Sequence, residues 1–475
     1  MKNPPEKTYS IPSIFLEVIR VNPIVFILQY VVSIVSSVLM GLFIAQLQKV
    51  FNHAAALVAA PSQNTIQVLL IALIVLFLFK YGSEGLQILN GYLGHVYYNR
   101  CALHFMALHN QTVSKAAAVT FEDEQNLALY RKALDGALES RGMLHVVMDI
   151  FTVYLPYFAT VAVYLANQDI SLLIIFPLVA APVLITNQIK KRINAKVIEE
   201  AVLPQRKKEE YARYLSDSTF FKEVRVSSLF TYFYEKYQSA REDYNRFHIL
   251  SDRKKLFLDL TTKIVTLAGF LIAVVFLMHR MMNGVISIGA FGAIFYSLDE
   301  VYSLMNEVLV SRMAEYHAGL PTLKAFIDML NDKTIETQPS NAPKDFTNLS
   351  LENVSFTYPN AQQAALNNIS FTIRKNDRIA IVGHNGSGKS TLAKILIGLY
   401  QPMNGSIVMD GKTVNRMNSE NVSVMFQNFN RYKETVLNNI RISELELDAD
   451  LQQEKNRAGE MLEKVSLEFA GQDDA

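Results

Sequence analysis

The chain has 475 residues, of which 50% are hydrophobic, and its formal net charge is +1. That length leaves room for two or three domains, and a mean hydropathy of +0.16 is high for a water-soluble enzyme. The near-zero charge gives no electrostatic reason to expect nucleic acid as a partner. Cys101 is the one cysteine, which excludes an intramolecular disulfide and a multi-cysteine metal site. The polar start, Met1 to Ser10, does not read as a cleavable signal peptide.

Long apolar segments are concentrated in the first two-thirds of the chain. A short amphipathic helix comes first, and its apolar face is predicted to lie in a membrane interface: Ile11, Phe15, Val18 and Ile19. Six apolar segments that follow predict transmembrane helices, the second of them as the core of a span that continues past Lys80: Ile24–Leu47, Ile66–Phe79, Leu144–Ala166, Ile170–Ile189, Lys263–Met282 and Ile286–Val310. Residues 1–330 are therefore predicted to form a membrane domain, followed by a polar linker at 331–344.

The connections between the predicted spans alternate in length and charge. Those around 53–65, 167–169 and 280–284 are short and contain almost no Lys or Arg, whereas the long ones are rich in both. The positive-inside rule places the long segments, the N-terminus and everything after the sixth span in the cytoplasm. The long segments are also rich in helix-forming residues, which predicts cytoplasmic extensions of the membrane helices. We therefore expect a multi-pass protein embedded in the lipid bilayer of the cell (plasma or inner) membrane.

Polar residues follow one side of the sixth predicted span: Tyr296, Asp299, Glu300, Ser303, Asn306 and Glu307. A carboxylate at a helix centre costs about 2.5–3.5 kcal/mol on insertion scales, so such groups usually face a cavity or a partner. This stripe either lines a path for a cationic or amphipathic substrate or faces a water-filled vestibule without contacting substrate. Spacing of one helical turn also predicts two local pairs, Lys80 with Glu84 and His145 with Asp149.

A phosphate-binding loop is the strongest motif in the sequence. Ile379–Val382 is an apolar run typical of a buried parallel strand, and Gly383–Ser390 then reads G-x-x-x-x-G-K-S. The glycines let backbone N–H groups approach phosphate oxygens, and Lys389 supplies a positive charge for the β- and γ-phosphates. Ser390 is the expected Mg²⁺ ligand. The predicted ATP-binding residues of the loop are Gly383, His384, Asn385, Gly386, Ser387, Gly388, Lys389, Ser390 and Thr391.

The residues around this loop alternate strand and turn, which predicts the mixed sheet of an α/β nucleotide-binding domain over 345–475. Strands are expected at Leu349–Tyr358, Ala365–Ile373, Ile379–Val382, Gly405–Met409 and Val422–Phe426, with a turn at Asp410–Gly411. A helix is expected directly after the loop, with this apolar stripe: Leu392, Ile395, Leu396 and Leu399. The predicted fold is thus an α-helical membrane domain of six transmembrane helices with long cytoplasmic extensions, followed by an α/β P-loop domain.

This combination resembles a half-transporter of the ATP-binding cassette (ABC) exporter family over nearly the whole chain. The resemblance implies ATP and Mg²⁺ as cofactors. It implies that Tyr358, in Ser-Phe-Thr-Tyr-Pro, stacks on adenine. It also implies that Gln427, in Val-Met-Phe-Gln-Asn-Phe, contacts Mg²⁺ and the attacking water and takes part in catalysis.

Three further motifs of the family are not found in these residues: the Leu-Ser-Gly-Gly-Gln signature, the second acidic motif with its catalytic Glu, and the switch His. The ATP-binding domain is therefore expected to be C-terminally incomplete, and ATPase activity of the chain itself is left open. One reading is ATP-driven export of an unidentified substrate by a homodimer or heterodimer of two halves. The alternative is a membrane-anchored ATP-binding subunit that does not hydrolyse ATP and depends on a competent partner.

Overall fold

The structure is a computed structural model that describes residues 8–332, 341–343, 345–415, 417, 422–427, 429, 432–442 and 451–464. The chain divides into two compact units, Met1–Thr337 and Gln338–Ala475. The first unit is helical, and the second contains the strands of the described chain. The predicted linker at 331–344 falls mostly outside the described residues.

The described part of the first unit is a series of α-helices: α1 (Ile11–Val21), α2 (Pro23–Ala59), α3 (Gln63–Ser114), α4 (Glu124–Asp149), α5 (Leu155–Gln168), α6 (Ile175–Ser216), α7 (Ser218–Val226), α8 (Phe230–Met282), α9 (Ile288–Asn306) and α10 (Met313–Asn331). Short 3₁₀ turns lie at Ala118–Glu122 and Ile170–Ile174. Two π-helical segments interrupt the series, the first at Ile150–Tyr154 and the second at Glu307–Arg312. Because both are flanked directly by helix, α4 runs into α5 and α9 runs into α10 without a loop.

Within the described residues, four helical stretches are long and apolar enough to cross a membrane: Pro23–Ala59, Gln63–Ser114, Glu124–Gln168 and Phe230–Met282. The helices α3 and α8 have 52 and 53 residues. Since about 20 residues suffice to cross a bilayer, both extend well beyond an apolar layer. A helical domain of membrane type is thereby confirmed, whereas the count of six spans stays a prediction.

Helix α1 begins with a capping box at Ser10 and packs against protein. Ile14 and Val18 are fully buried, and the Tyr97 hydroxyl donates to the Val18 carbonyl at 2.5 Å. The apolar face named from the sequence omitted Ile14, which spacing places one turn before Val18. Directly before α1, the Tyr9 backbone N–H donates to Asn331 Oδ1 at 2.7 Å. Asn331 Nδ2 donates back to the Tyr9 carbonyl at 2.8 Å, so the start and end of the helical series are joined.

Buried apolar residues of the helical unit form two clusters. The span cluster draws on α2, α5, α6, α8 and α9: Phe43, Ile44, Leu47, Tyr157, Val161, Tyr164, Leu165, Leu172, Ile175, Leu277, Ile286, Ala290, Ala293, Ile294, Leu298 and Val301. The extension cluster draws on α1, α2, α3, α4 and α10: Ile14, Val18, Phe26, Tyr30, Tyr97, Cys101, Phe105, Tyr130, Ala133, Ala137, Met143, Leu144, Leu323, Phe326, Ile327 and Met329. Each π segment lies where the chain passes from one cluster to the other.

The second unit contains a four-stranded sheet with the order β2-β1-β3-β4. Its strands and helices are β1 (Asn348–Phe356), β2 (Leu366–Arg374), α11 (Lys389–Leu396), β3 (Asn404–Met409), β4 (Lys412–Val414), α12 (Val436–Arg441) and α13 (Leu451–Lys464). The strand predictions at 349–358, 365–373 and 405–409 and the helix prediction after the loop are confirmed. The predicted turn is confirmed too, since Asp410 and Gly411 have φ of 46° and 78°.

Two predicted strands are wrong. Ile379–Val382 and Val422–Phe426 are described as irregular chain, with Val382 89% and Met425 92% exposed. A strand persists only through hydrogen bonds to a neighbour, and all ladders in the described sheet join β1 to β2, β1 to β3 and β3 to β4. Those pairings are antiparallel, so the described sheet is not the predicted mixed one.

Candidate ATP-binding site and polar cavities of the helical unit

The phosphate loop enters α11 through a glycine that no other residue can replace without strain. Gly388 is the N-cap of α11 and has φ of 84°, in the left-handed region that favours glycine. A Cβ atom built there would lie 2.5 Å from the Ala365 carbonyl oxygen and 2.8 Å from Leu366 Cδ2. The loop backbone therefore packs directly on the start of β2. This close approach requires the last glycine of the G-x-x-x-x-G-K-S motif.

At its other end the loop is equally tight. A Cβ atom on Gly383 would lie 2.6 Å from Ser387 Oγ, and Ser387 N–H donates to the His384 carbonyl at 3.3 Å. The loop thus closes on itself just before α11 begins. The first N–H groups of α11 have no partner inside the helix and carry the positive end of its dipole, which together favour an anion. Ser390 is exposed at this end, and Thr391 is buried.

The lysine of the motif bends back over the loop. Lys389 Nζ donates to the Gly383 carbonyl at 2.9 Å and to the His384 carbonyl at 2.8 Å. Its ammonium group is therefore held above the residues whose N–H groups would meet a phosphate. Lys389, which is predicted to contact the β- and γ-phosphates, covers the loop in this structure. A bound phosphate would have to break its two bonds to the carbonyl oxygens.

Tyr358 lies beside this loop, and its stacking on adenine stays a prediction. Its hydroxyl is 3.1 Å from Thr391 Oγ1, one residue beyond the expected Mg²⁺ ligand. Its half-buried ring stands edge-on to Phe356 and Tyr400, with ring centroids 5.2 and 5.9 Å away. Lys394 of α11 donates to the Tyr400 hydroxyl at 2.9 Å. The contacts of Phe356 and Tyr400 with this ring were not predicted, although the sequence shows an aromatic residue at the end of β1 and another after α11.

Gln427 is not brought to the loop by any contact that the described residues show. Its side chain is exposed, and it follows the irregular stretch Val422–Phe426. Its immediate neighbour at 428 lies outside the described residues. The role of Gln427 in catalysis and Mg²⁺ binding therefore stays a prediction.

The polar stripe of the sixth predicted span borders two cavities in the helical unit. One cavity of about 140 Å³ is lined by Glu300 together with Lys80, Ser83, Glu84 and Gln87 of α3. The predicted ion pair Lys80–Glu84 is confirmed, with Nζ and Oε1 3.3 Å apart. Lys80 Nζ also lies 5.8 Å from the ring centroid of Phe43, which lines the same space. The cavity thus combines charged groups with an aromatic wall.

A second cavity, of about 210 Å³, lies between α6, α8 and α9. Asn306 and Tyr302 form one wall, and Lys190 contacts Asp259 across another. Lys263 Nζ lies 5.1 Å from the Tyr302 ring centroid. The stripe therefore faces polar space on more than one side of α9, and whether that space holds substrate or water stays open.

The other predicted local pair is also confirmed, since His145 Nδ1 is 3.2 Å from Asp149 Oδ1. The structure extends this pair in two directions. The Tyr30 hydroxyl reaches His145 Nδ1 at 3.2 Å, and Arg312 reaches the second Asp149 oxygen at 3.7 Å. Neither Tyr30 nor Arg312 was predicted, since both are far from Asp149 along the chain.

A glycine-cradled phosphate loop with an aromatic neighbour, in a unit that follows long apolar helices, defines a nucleotide-binding membrane protein. Comparison with protein families narrows the class, because residues 366–475 match the model described as "ABC transporter". The nisin transport ATP-binding protein of Lactococcus lactis is 28% identical over 269 residues, which cover 54% of this chain and 44% of that protein. An ATP-dependent lipid A-core flippase of Haemophilus influenzae is 32% identical over 166 residues, covering 33% and 27%.

Among solved structures, a bacterial Atm1-family ABC exporter with ATP bound matches with a TM-score of 0.71 and 17% identity. That match covers 94% of this chain and 80% of the other, and it shows the fold. Residues 366–475 thus match an ABC transporter domain, and they follow, in the sequence, a helical unit with the fold of an ABC exporter, as the resemblance indicated. It is a multi-pass membrane protein with an ATP-binding domain. Its aligned region spans less than half the length of the nisin transport protein.

Proposed function

We propose that the chain is one half of an ABC exporter that uses ATP to move a substrate outward across the cell membrane. The observation that carries this proposal is the loop at Gly383–Thr391, where glycine close contacts, a helix start and Lys389 converge beside Tyr358. In this proposal the loop binds the phosphates, Tyr358 stacks on the base, and Ser390 and Gln427 bind Mg²⁺. The positive-inside distribution supports placing this unit in the cytoplasm.

The second half of the transporter is a copy of this chain or a different chain of the same type. Alternating access in such a dimer requires that ATP binding change the accessibility of polar space inside the helical unit. The cavity beside Asn306 offers such space, because it contains the Lys190–Asp259 pair and several hydroxyl groups. The unidentified substrate is proposed to contact this region or the cavity around Glu300.

A substrate-independent experiment tests this proposal. The full chain with Cys101→Ala and Asn306→Cys is placed in lipid nanodiscs and treated with a water-soluble maleimide, with and without Mg²⁺-ATP. We expect ATP to change the labelling rate at position 306 several-fold, because domain closure alters access to the cavity. The same protein carrying Lys389→Ala is the matched control and should not respond. ATP binding without any change in labelling would refute the proposed coupling.

A further inference from the structure

The two π segments are the only interruptions of that kind in the described helices. A π-helical turn accommodates one residue more than an α-helical turn, and such turns often mark functional positions within a helix. The first, Ile150–Tyr154, joins α4 to α5, and the second, Glu307–Arg312, joins α9 to α10. In both cases one flanking helix contributes to the extension cluster and the other to the span cluster. The described chain therefore passes from one buried cluster to the other at two positions, and each of these positions is a π-helical turn.

One side chain connects the two widened turns. Arg312, the last residue of the second π segment, donates from Nε to the hydroxyl of Tyr154, the last residue of the first, at 3.2 Å. Its Nη2 lies 3.7 Å from Asp149 Oδ2, directly before the first segment. The same guanidinium bonds Glu307 at 3.1 Å and Glu315 at 3.2 Å. It thus contacts residues at both ends of the second segment and at both ends of the first.

Burial makes this connection costly to break. Only 6% of the Asp149 side chain is exposed, and Tyr154 is buried. A buried carboxylate is tolerated when it is paired and hydrogen-bonded, and removing one partner leaves an uncompensated charge. Asp149 also contacts His145, which reaches Tyr30 of α2. The network therefore fixes the position of the first π segment relative to α2, through Tyr30, and relative to α10, through Arg312 and Glu315.

The helices on the extension-cluster side of the two turns are packed too closely to slide past each other. A Cβ atom on Gly136 of α4 would lie 2.0 Å from the Thr322 carbonyl oxygen of α10. A Cβ atom on Gly319 of α10 would lie 2.7 Å from Met143 Sδ of α4. Interdigitated backbones of this kind resist relative translation. Any movement of α4 and α10 against the span cluster must therefore be absorbed at the π segments, where backbone geometry is already irregular.

We infer that Arg312 is a positioning residue that couples the two π segments, so that both segments respond together when α4 and α10, packed on each other, move relative to the helices of the span cluster. The inference goes beyond the proposed function and does not depend on it. Since α10 is the last described helix before the ATP-binding unit in the sequence, a displacement of α10 would reach both π segments through this contact.

Hydrogen exchange of the full chain in nanodiscs, read by mass spectrometry, tests the coupling. In Arg312→Gln we expect amide exchange at least tenfold faster in both π segments, although they are far apart in sequence. The α4 amides at 130–140 should keep their protection, because their close packing on α10 is untouched. Arg312→Lys should restore much of the protection, since an ammonium can still pair with Asp149. Arg20→Gln is the matched control, because the Arg20 side chain is 69% exposed and lies 3.8 Å from its partner Glu17.

Faster exchange confined to 307–312 would show that Arg312 acts only on its own segment and would overturn the inference. Uniformly faster exchange throughout the helical unit would show a general loss of stability and would overturn it too. If Arg312→Gln does not fold, Tyr154→Phe decides, because it keeps every charge and removes the hydroxyl that bonds Arg312 Nε. We expect both segments to exchange severalfold faster in Tyr154→Phe. A change restricted to 150–154 would contradict the coupling.

Discussion

Replacing Lys389 with alanine should remove most of the ATP affinity of the full chain. In the structure its ammonium is hydrogen-bonded to the Gly383 and His384 carbonyl oxygens, at 2.9 and 2.8 Å. ATP binding would exchange these two bonds for two bonds to phosphate oxygens. Since hydrogen bonds to ionised groups are stronger than bonds to neutral carbonyl groups, the exchange favours the bound state.

The magnitude follows from this exchange. Two bonds between an ammonium group and phosphate oxygens contribute about 3–6 kcal/mol, and giving up two bonds to carbonyl oxygens costs about 1–3 kcal/mol. The net contribution of Lys389 to the free energy of ATP binding is therefore roughly 2–3 kcal/mol. Solvent screening at this exposed loop reduces the upper values of both ranges. At 1.4 kcal/mol per factor of ten, we expect the Kd for ATP to rise roughly 30- to 140-fold in Lys389→Ala.

Binding of a fluorescent ATP analogue to the full chain in nanodiscs measures this change. Lys375→Ala is the matched control, because Lys375 lies in the same unit and its partner is the exposed Asp345. That variant should bind with unchanged affinity. If Lys389→Ala also binds within threefold of the unmodified chain, the assignment of this loop as the phosphate site is wrong.

Two further predictions concern the helical unit. Cysteines introduced singly between Arg192 and Lys255, in a Cys101→Ala background, should not react with an impermeant maleimide added to intact cells. The reason is that this basic segment is predicted to be cytoplasmic. Ready labelling from outside would contradict that topology. Gly289→Ala should lower the melting temperature of the full chain, at a cost of about 1–3 kcal/mol, because its Cβ would lie 2.5 Å from the Gln48 carbonyl oxygen. Gly91→Ala is the control and should not lower the melting temperature, because a Cβ there meets nothing within 4 Å. Equal melting temperatures of the two variants would show that α9 relaxes away from α2.

The backbone geometry of the phosphate loop could be predicted because it depends on residues close together in the sequence. Gly383, Gly388 and Lys389 lie within seven residues, and each acts through its own backbone or its own charge. The long helices could also be predicted, since apolar length and periodicity are properties of contiguous sequence. Strands β1, β2 and β3 were predicted for the same reason: alternation and turn residues bound each one.

What failed or was missed depends on partners distant in sequence. Ile379–Val382 has the composition of a buried strand, but a strand also needs neighbours, and composition does not show whether they are present. The π segments each add one residue to a turn, and neither was predicted from the sequence. The contact between Arg312 and Asp149 joins residues that periodicity cannot relate. Tertiary pairing, rather than local preference, decided each of these cases.

The bonds between Tyr9 and Asn331 constrain how the protein can be made. Tyr9 is synthesised well before its partner, which follows 322 residues later. At about 5–20 residues per second, the interval is roughly 15–65 s. Ile14 and Val18 share a cluster with Leu323 and Phe326, so their burial is also incomplete during that time. The nascent chain must therefore shelter the apolar face of α1 by other means, at the lipid surface or on a chaperone, until α10 has been made.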